Sequence, residues 1–208
     1  MRFSGWFPVA LFAALGPWQL QAQQSVATQP FGLRFGTSLA EVQEKLRATP
    51  FTGRFNGWFR LSAPPIPSGL FTSFQLFVSP RSGLCKIVAI SSPIESGPDG
   101  AEARRVLSAV RDSLDRVYGS HTQLESVASN PEFTGADEWM QSLNSGERTL
   151  RVIWYEDPEK FPPGLAGVSL KLAGVSRRAA ELVLSIDHEA HLRCVDEVIE
   201  AERAGRQQ

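Results

Sequence analysis

One short segment near the C-terminus concentrates the side chains that could bind a metal ion. The run DHEAHLRC contains Asp187, His188, Glu189, His191 and Cys194. Carboxylate, imidazole and thiolate groups are the usual protein ligands of zinc. Residues three apart on a helix share a face, so His188, His191 and Cys194 would form one row. If this row binds a metal ion, the protein is a metal-dependent hydrolase that uses His188, His191 and a nearby acid.

A second interpretation of the same segment is the ordinary polar start of a helix. The two histidines are three residues apart, which departs from the His-Glu-x-x-His spacing of zinc hydrolases. His188 is expected in the turn before the helix, and the acidic Asp187 and Glu189 are favourable near the positive end of a helix dipole. Cys194 has a competing use in a disulfide bond. The sequence therefore favours a segment without a metal ion and predicts no metal ligand.

Other catalytic and cofactor patterns do not occur in the sequence. No Gly-x-Ser-x-Gly turn presents a serine nucleophile, and His121 follows the end of a helix in an expected loop. Neither glycine pattern of phosphate-binding loops is found. The formal net charge is −1, without the basic surplus typical of nucleic-acid-binding proteins. The sequence predicts no catalytic residue, no cofactor and no nucleic-acid partner, and it favours a protein that is not an enzyme.

The N-terminus has the pattern of an export signal. Arg2 precedes the apolar run WFPVALFAALG, and Ala22 is a small residue for cleavage before Gln23. The run is shorter than the ~20 residues of a membrane span. We interpret residues 1–22 as a signal peptide and residues 23–30 as a flexible N-terminus, which predicts a periplasmic or secreted protein without a transmembrane segment after processing. An uncleaved anchor or a buried N-terminal helix is the competing interpretation.

The only two cysteines, Cys85 and Cys194, are 109 positions apart and both have apolar neighbours. In an oxidising compartment such a pair is most simply explained by one disulfide bond. The bond would tie a C-terminal helix to a central strand. Two free buried thiols or one reactive thiol are the alternatives.

Hydrophobic periodicity predicts a single α+β domain over residues 31–204. The expected order is helix, strands, helix, strands, helix, and the strands come in consecutive hairpins, which favours antiparallel sheet covered by amphipathic helices. The domain would divide into two similar helix-plus-sheet halves, 31–92 and 99–204, if the chain arose by duplication.

The central helix has the clearest amphipathic pattern, and it is expected to cover a sheet. Its polar face includes Arg104 and Arg105. Its apolar stripe consists of Ala103, Val106, Leu107, Val110, Leu114 and Val117.

Three local predictions concern the second half of the chain. Residues 120–137 are expected to be irregular. Residues 138–157 predict two strands around the turn Asn144-Ser145-Gly146. The last helix is expected over residues 189–202, with Leu192, Val195 and Ile199 facing the core.

An aromatic-rich tract precedes the first long strands and has two interpretations. It could supply a core on both faces of a sheet, which the sequence favours. It could also line an open groove for a peptide or an apolar ligand, with the proline-rich loop APPIPSG as the rim. The aromatic residues in question are Phe51, Phe55, Trp58, Phe59, Phe71 and Phe77.

Several motifs together resemble a known group of proteins. They are FGLRFGTSLAEVQEKL after the export signal, GLCKIVAIS, a helix ending in RVYG, WMQSL followed by ERTLRVIWYED, and a late cysteine. They resemble uncharacterised exported proteins of Gram-negative bacteria. Residues 31–46 are also similar to α+β modules of the β-lactamase-inhibitor-protein and outer-membrane-assembly lipoprotein type, although this chain has no lipid-anchor cysteine. The resemblance implies a binding or assembly role and carries over no catalytic residue.

The leading hypothesis from the sequence is therefore a non-catalytic exported protein of the cell envelope that binds a protein, a peptide or another envelope ligand. The metal-dependent hydrolase built on His188 and His191 is the alternative. A stability or stress-associated protein without a discrete ligand is a third hypothesis.

Overall fold

A computed structural model describes residues 28–51, 56–155 and 161–206. The predicted signal peptide, residues 1–22, and residues 23–27 of the predicted flexible segment 23–30 lie outside the described residues. At the end of that segment, Pro30 is buried and begins a 3-10 turn. Within them, none of the helices combines the length and the apolar character needed to cross a bilayer.

The described residues form nine strands, four α-helices and two short 3-10 turns. The strands are Thr49–Pro50 (β1), Trp58–Leu61 (β2), Phe71–Ser79 (β3), Gly83–Ser91 (β4), Ile94–Glu95 (β5), Thr122–Val127 (β6), Arg148–Trp154 (β7), Leu165–Ser176 (β8) and Ala179–His188 (β9). The helices are Leu39–Glu44 (α1), Ala101–Tyr118 (α2), Trp139–Ser145 (α3) and His191–Gly205 (α4). The 3-10 turns are Pro30–Gly32 and Ala136–Glu138.

All strands belong to one antiparallel sheet in the order β1-β2-β3-β4-β9-β8-β7-β6. The short strand β5 pairs with the first two residues of β9. The predicted α+β class with an antiparallel sheet is confirmed. The first and last strands of the sheet are β1 and β6, and the two halves of the chain meet at the β4–β9 pair. Each half supplies one strand of this central pair and three further strands on its own side of the pair. The division into similar halves stays a prediction.

The larger core lies on one side of the sheet, here called the inner face. Alternate strand residues point to this face, as the period of two requires. Alternate residues of two long strands are buried in this way. They are Phe74, Leu76 and Val78 of β3 and Val168, Leu170 and Leu172 of β8. Helices α1, α2 and α3 cover the inner face with Val42, Leu107 and Met140, among other buried side chains.

Helix α4 packs on the opposite side of the sheet, here called the outer face. The predicted disulfide bond is confirmed: Cys85 of β4 is bonded to Cys194 of α4, with their Cα atoms 6.6 Å apart. Both cysteines are fully buried in a small second cluster with Phe77 and Val198.

The predicted inward face of the last helix is wrong for Leu192, which is 78% exposed, whereas Val195 is partly buried against the second cluster. The buried residues of this helix are Cys194, Glu197 and Val198, which face the sheet. Because Cys194 is bonded to β4, the residues three and four positions later must point in the same direction. The covalent bond, and not the distribution of apolar residues, sets the rotation of α4.

Two further predictions of secondary structure are wrong. Residues Trp139–Ser145 form helix α3 instead of a strand, and the helix ends at Gly146, which has a φ of 82°. The sequence Asn144-Ser145-Gly146, two small polar residues followed by glycine, is compatible with a hairpin turn and with the C-terminus of a helix. Within the segment expected to be irregular, Thr122–Val127 forms the edge strand β6, whose mostly exposed residues show no alternating burial.

Candidate functional site

The residues of the predicted metal site are used for packing. His188 ends β9, its ring lies 5.2 Å from that of Phe35, and its Nδ1 accepts the backbone N–H of Ala190 at 3.1 Å. His191 begins α4 and stands edge-on to the ring of Phe77 at 5.7 Å. The sulfur of Cys194 is committed to the disulfide bond.

The carboxylate of Asp187, which precedes His188 in the chain, has an ionic partner. It lies 2.8 Å from the ammonium group of Lys86 on the outer face. Burial lowers the pKa of both His188 and His191, so both rings are held in the neutral form. Among the described residues, no group of three or more histidine, cysteine or acidic side chains could hold a metal ion. The geometry therefore adds no support to the hydrolase alternative.

His121 takes part in a hydrogen-bonded group that joins three elements. Its Nδ1 lies 2.8 Å from the carboxylate of Asp115 in α2, and the same carboxylate accepts the indole N–H of Trp154 in β7 at 3.0 Å. The group fixes the C-terminal end of α2 against the sheet.

The aromatic tract divides between core and surface. Phe59, Phe71 and Phe77 are buried at 1–7% exposure, in two different clusters. The favoured interpretation, a core on both faces of the sheet, agrees with these positions. Phe71 has a second role, because it also forms part of the wall of an open cleft. Phe55 lies outside the described residues.

This cleft opens between α2 and the inner face of the sheet. Ala103 and Leu107 of the predicted apolar stripe are buried, but Val106, Val110 and Leu114 are only partly buried. The cleft has a volume of about 640 Å³, within the roughly 300–1,000 Å³ of small-molecule sites. Protein interiors are normally close-packed, so an apolar space of this size is an unusual feature of a helix–sheet interface.

The walls opposite α2 are apolar and fixed by local contacts. Leu184 and Ile186 of β9 form the floor. The ring of Phe31 stands edge-on to that of Phe71 at 5.9 Å, and its backbone carbonyl accepts the N–H of Ile66 at 2.9 Å. Ile66 belongs to the proline-rich loop and is 58% exposed at the rim.

The cleft is longer than it is wide. Its lining follows α2 from Arg105 to Tyr118, over which a helix rises about 20 Å. The small side chains of Ala109 and Ser113 occupy the middle of this stretch and leave the space above the floor open. The result is a trough along the helix.

The described lining has five polar residues, and two of them, Arg105 and Tyr118, lie at the two ends of the lined stretch of α2. The others are Gln29, Ser68 and Ser113. Among the described residues that line it, Arg105 carries the one charged side chain. The guanidinium of Arg105 donates to both carboxylate oxygens of Glu102, at 2.8 and 2.7 Å, on the exposed surface. At the other end Tyr118 is buried beside Phe161, and burial raises its pKa to about 12, so it is uncharged at neutral pH.

A second cavity of about 530 Å³ lies between β2 and α4, with Trp58 and Val198 in its walls. Its lining includes Phe51 and Asn56, and the four residues between these two in the chain lie outside the described residues. The α2 cleft is the stronger candidate, because its walls are nearly all apolar.

Comparisons with known proteins found no match for this chain among protein-family models, curated proteins or solved structures. The resemblance to exported bacterial proteins therefore rests on the motifs alone, and the cleft has to be interpreted from its own chemistry.

Part of this site was predicted from the sequence, namely a groove with the proline-rich loop as its rim. The predicted groove was lined by the aromatic tract, however, and Arg105 was assigned to the polar face of α2. The two small residues Ala109 and Ser113, beside the apolar stripe of α2, were the signal that this helix does not seal its side of the sheet.

Proposed function

We propose that this protein is a non-catalytic, exported protein of the cell envelope that binds an apolar ligand in the α2 cleft. The open apolar trough between α2 and β9 is the observation that carries this proposal. Water in contact with its walls is unfavourable, and a ligand that replaces this water gains the hydrophobic contribution. The export pattern of residues 1–22 and the disulfide bond support an oxidising compartment.

A neutral apolar dye tests binding directly. N-phenyl-1-naphthylamine becomes fluorescent in apolar surroundings, and we expect saturable fluorescence enhancement with the purified protein. Ala109→Phe places a ring in the middle of the trough and is expected to reduce dye affinity at least tenfold. Ala109 is exposed, so the larger side chain fills open space rather than the core.

Ala204→Phe is the matched control, since Ala204 is exposed on α4 and does not line the cleft. This variant should bind the dye like the wild type. Dye binding that is missing in the wild type, or that survives unchanged in Ala109→Phe, would contradict the proposal.

The compartment is tested separately by expression in a Gram-negative host. We expect the protein in the periplasmic fraction with a mass that corresponds to a chain beginning at Gln23. An intact N-terminus and a cytoplasmic location would contradict the export part of the proposal.

A further inference from the structure

We infer that the ligand of the α2 cleft is a single-chain carboxylate amphiphile, whose hydrocarbon chain lies along α2 and whose carboxylate binds Arg105. The inference rests on the proposed function and adds the chemical class of the ligand. It follows from the shape of the cleft and from the position of its one charged side chain.

The shape of the cleft selects a linear chain. The trough runs about 20 Å along α2, and its apolar walls continue from Val106 to Leu114 on the helix side. Beneath them, Leu184 and Ile186 extend the apolar floor along β9. A flexible hydrocarbon chain contacts such walls along its whole length, whereas a compact ligand would leave much of the trough in water. The volume of about 640 Å³ favours one chain over the two chains of a phospholipid.

The charge at the cleft selects an anionic headgroup. Arg105 lies at the N-terminal end of the lined stretch, and its side chain is 69% exposed. The described lining residues include no acidic side chain. The carboxylate of Glu102 is already bound to Arg105, so a cationic headgroup would have to compete with this guanidinium for it. At the far end of the lined stretch lies the uncharged ring of Tyr118, which stacks on the ring of Phe161.

The geometry of the Arg105 guanidinium indicates a carboxylate in particular. Glu102 already binds its two nitrogens in a bidentate arrangement, with distances of 2.8 and 2.7 Å. Both side chains are largely exposed, and exposed ion pairs contribute little to stability. A ligand carboxylate held at the mouth of the cleft can therefore replace Glu102 and reproduce the same two charge-assisted hydrogen bonds.

Competition with the bound neutral dye tests the inference. Dodecanoate and dodecyltrimethylammonium have equal chain lengths and opposite charges. We expect dodecanoate to displace the dye at least tenfold more effectively. Arg105→Gln should abolish this preference, which is expressed as the ratio of the two inhibition constants so that any change in dye affinity cancels.

Arg111→Gln is the matched control, because Arg111 lies on the same helix, pairs with Asp112 and does not line the cleft. This variant should keep the preference for dodecanoate. Equal displacement by the two amphiphiles, or a preference for dodecanoate that survives in Arg105→Gln, would overturn the carboxylate assignment while dye binding upholds the proposed function. Loss of dye binding in the wild type would instead overturn the proposed function itself. A lysophospholipid that outcompetes dodecanoate would overturn the assignment in favour of a phosphate headgroup.

Discussion

The buried carboxylate of Glu197 offers a quantitative test of how α4 is attached to the sheet. Its side chain is only 5% exposed, and its two oxygens accept hydrogen bonds from the turn between β3 and β4. The Ser79 hydroxyl donates at 2.6 Å, and Ser82 donates through its backbone N–H at 3.0 Å and its hydroxyl at 2.7 Å. The backbone N–H of Arg81 adds a longer bond at 3.3 Å.

The pKa of Glu197 reports the strength of this arrangement. Burial by itself disfavours the ionised form, but the hydrogen bonds from Ser79, Ser82 and Arg81 outweigh it and lower the pKa to about 2. An unfolded glutamate has a pKa near 4.3, and each unit of difference is worth about 1.4 kcal/mol. The ionised carboxylate should therefore contribute up to about 3 kcal/mol to the free energy of unfolding. Because the folded pKa is the lower one, this contribution is complete above about pH 5 and is lost as the pH falls towards 2.

Urea unfolding of the wild type and of Glu197→Gln, followed by tryptophan fluorescence between pH 7 and pH 2.5, measures this contribution. The variant cannot ionise and should be less stable at pH 7 by about 2–3 kcal/mol. The gap should shrink as the wild-type carboxylate becomes protonated. Glu200→Gln, which removes an exposed pair with Arg81, is the control and should cost less than about 1 kcal/mol. A gap between Glu197→Gln and the wild type that stays constant with pH would refute the reasoning.

Two other perturbations test the attachment of α4 and α2. Replacing Cys85 and Cys194 together with alanine should lower the free energy of unfolding by about 4 kcal/mol, because the bond closes a loop of more than 100 residues. Urea unfolding of this variant and of the oxidised wild type measures the difference, and a difference below about 1 kcal/mol would contradict the prediction. Gly100→Ala should cost more than about 2 kcal/mol, because Gly100 has a φ of 73° and an added Cβ would overlap the ring of Trp139. Gly146→Ala, with a similar left-handed φ of 82° but open space around it, should cost only about 1 kcal/mol. Equal losses in calorimetry for the two glycine variants would rule out the steric explanation.

The parts of the fold that sequence analysis predicted are those with a strong local signal. The alternation of Val168, Leu170 and Leu172 with polar neighbours specifies a strand with one buried face, and these three side chains are buried in β8. The start of α1 has a similar local signal, a serine three residues before a glutamate, and the Ser38 hydroxyl accepts the backbone N–H of Glu41. Such signals depend on residues a few positions apart, which one sequence contains in full.

The parts that sequence analysis missed depend on contacts between distant segments. β6 is an edge strand with exposed residues, and it is held by cross-strand partners such as Arg148, which pairs with Glu125. Nothing within β6 itself indicates that pairing. Likewise, the burial of Glu197 can be foreseen only once Cys194 is known to face β4, because that bond brings the carboxylate to the serines of the β3–β4 turn.

The cleft belongs to the same category, because periodicity shows which face of α2 is apolar but not how closely that face approaches the sheet. The two ends of α2 are fixed: Gly100 packs against the ring of Trp139 at the N-terminus, and Asp115 binds Trp154 near the C-terminus. Between these anchors, Ala109 and Ser113 are too small to fill the space above Leu184, Ile186 and Phe71. A helix held at both ends cannot move inward to close the gap without breaking one anchor. The trough is therefore formed before a ligand arrives, and binding requires little reorganisation of the protein, which favours affinity.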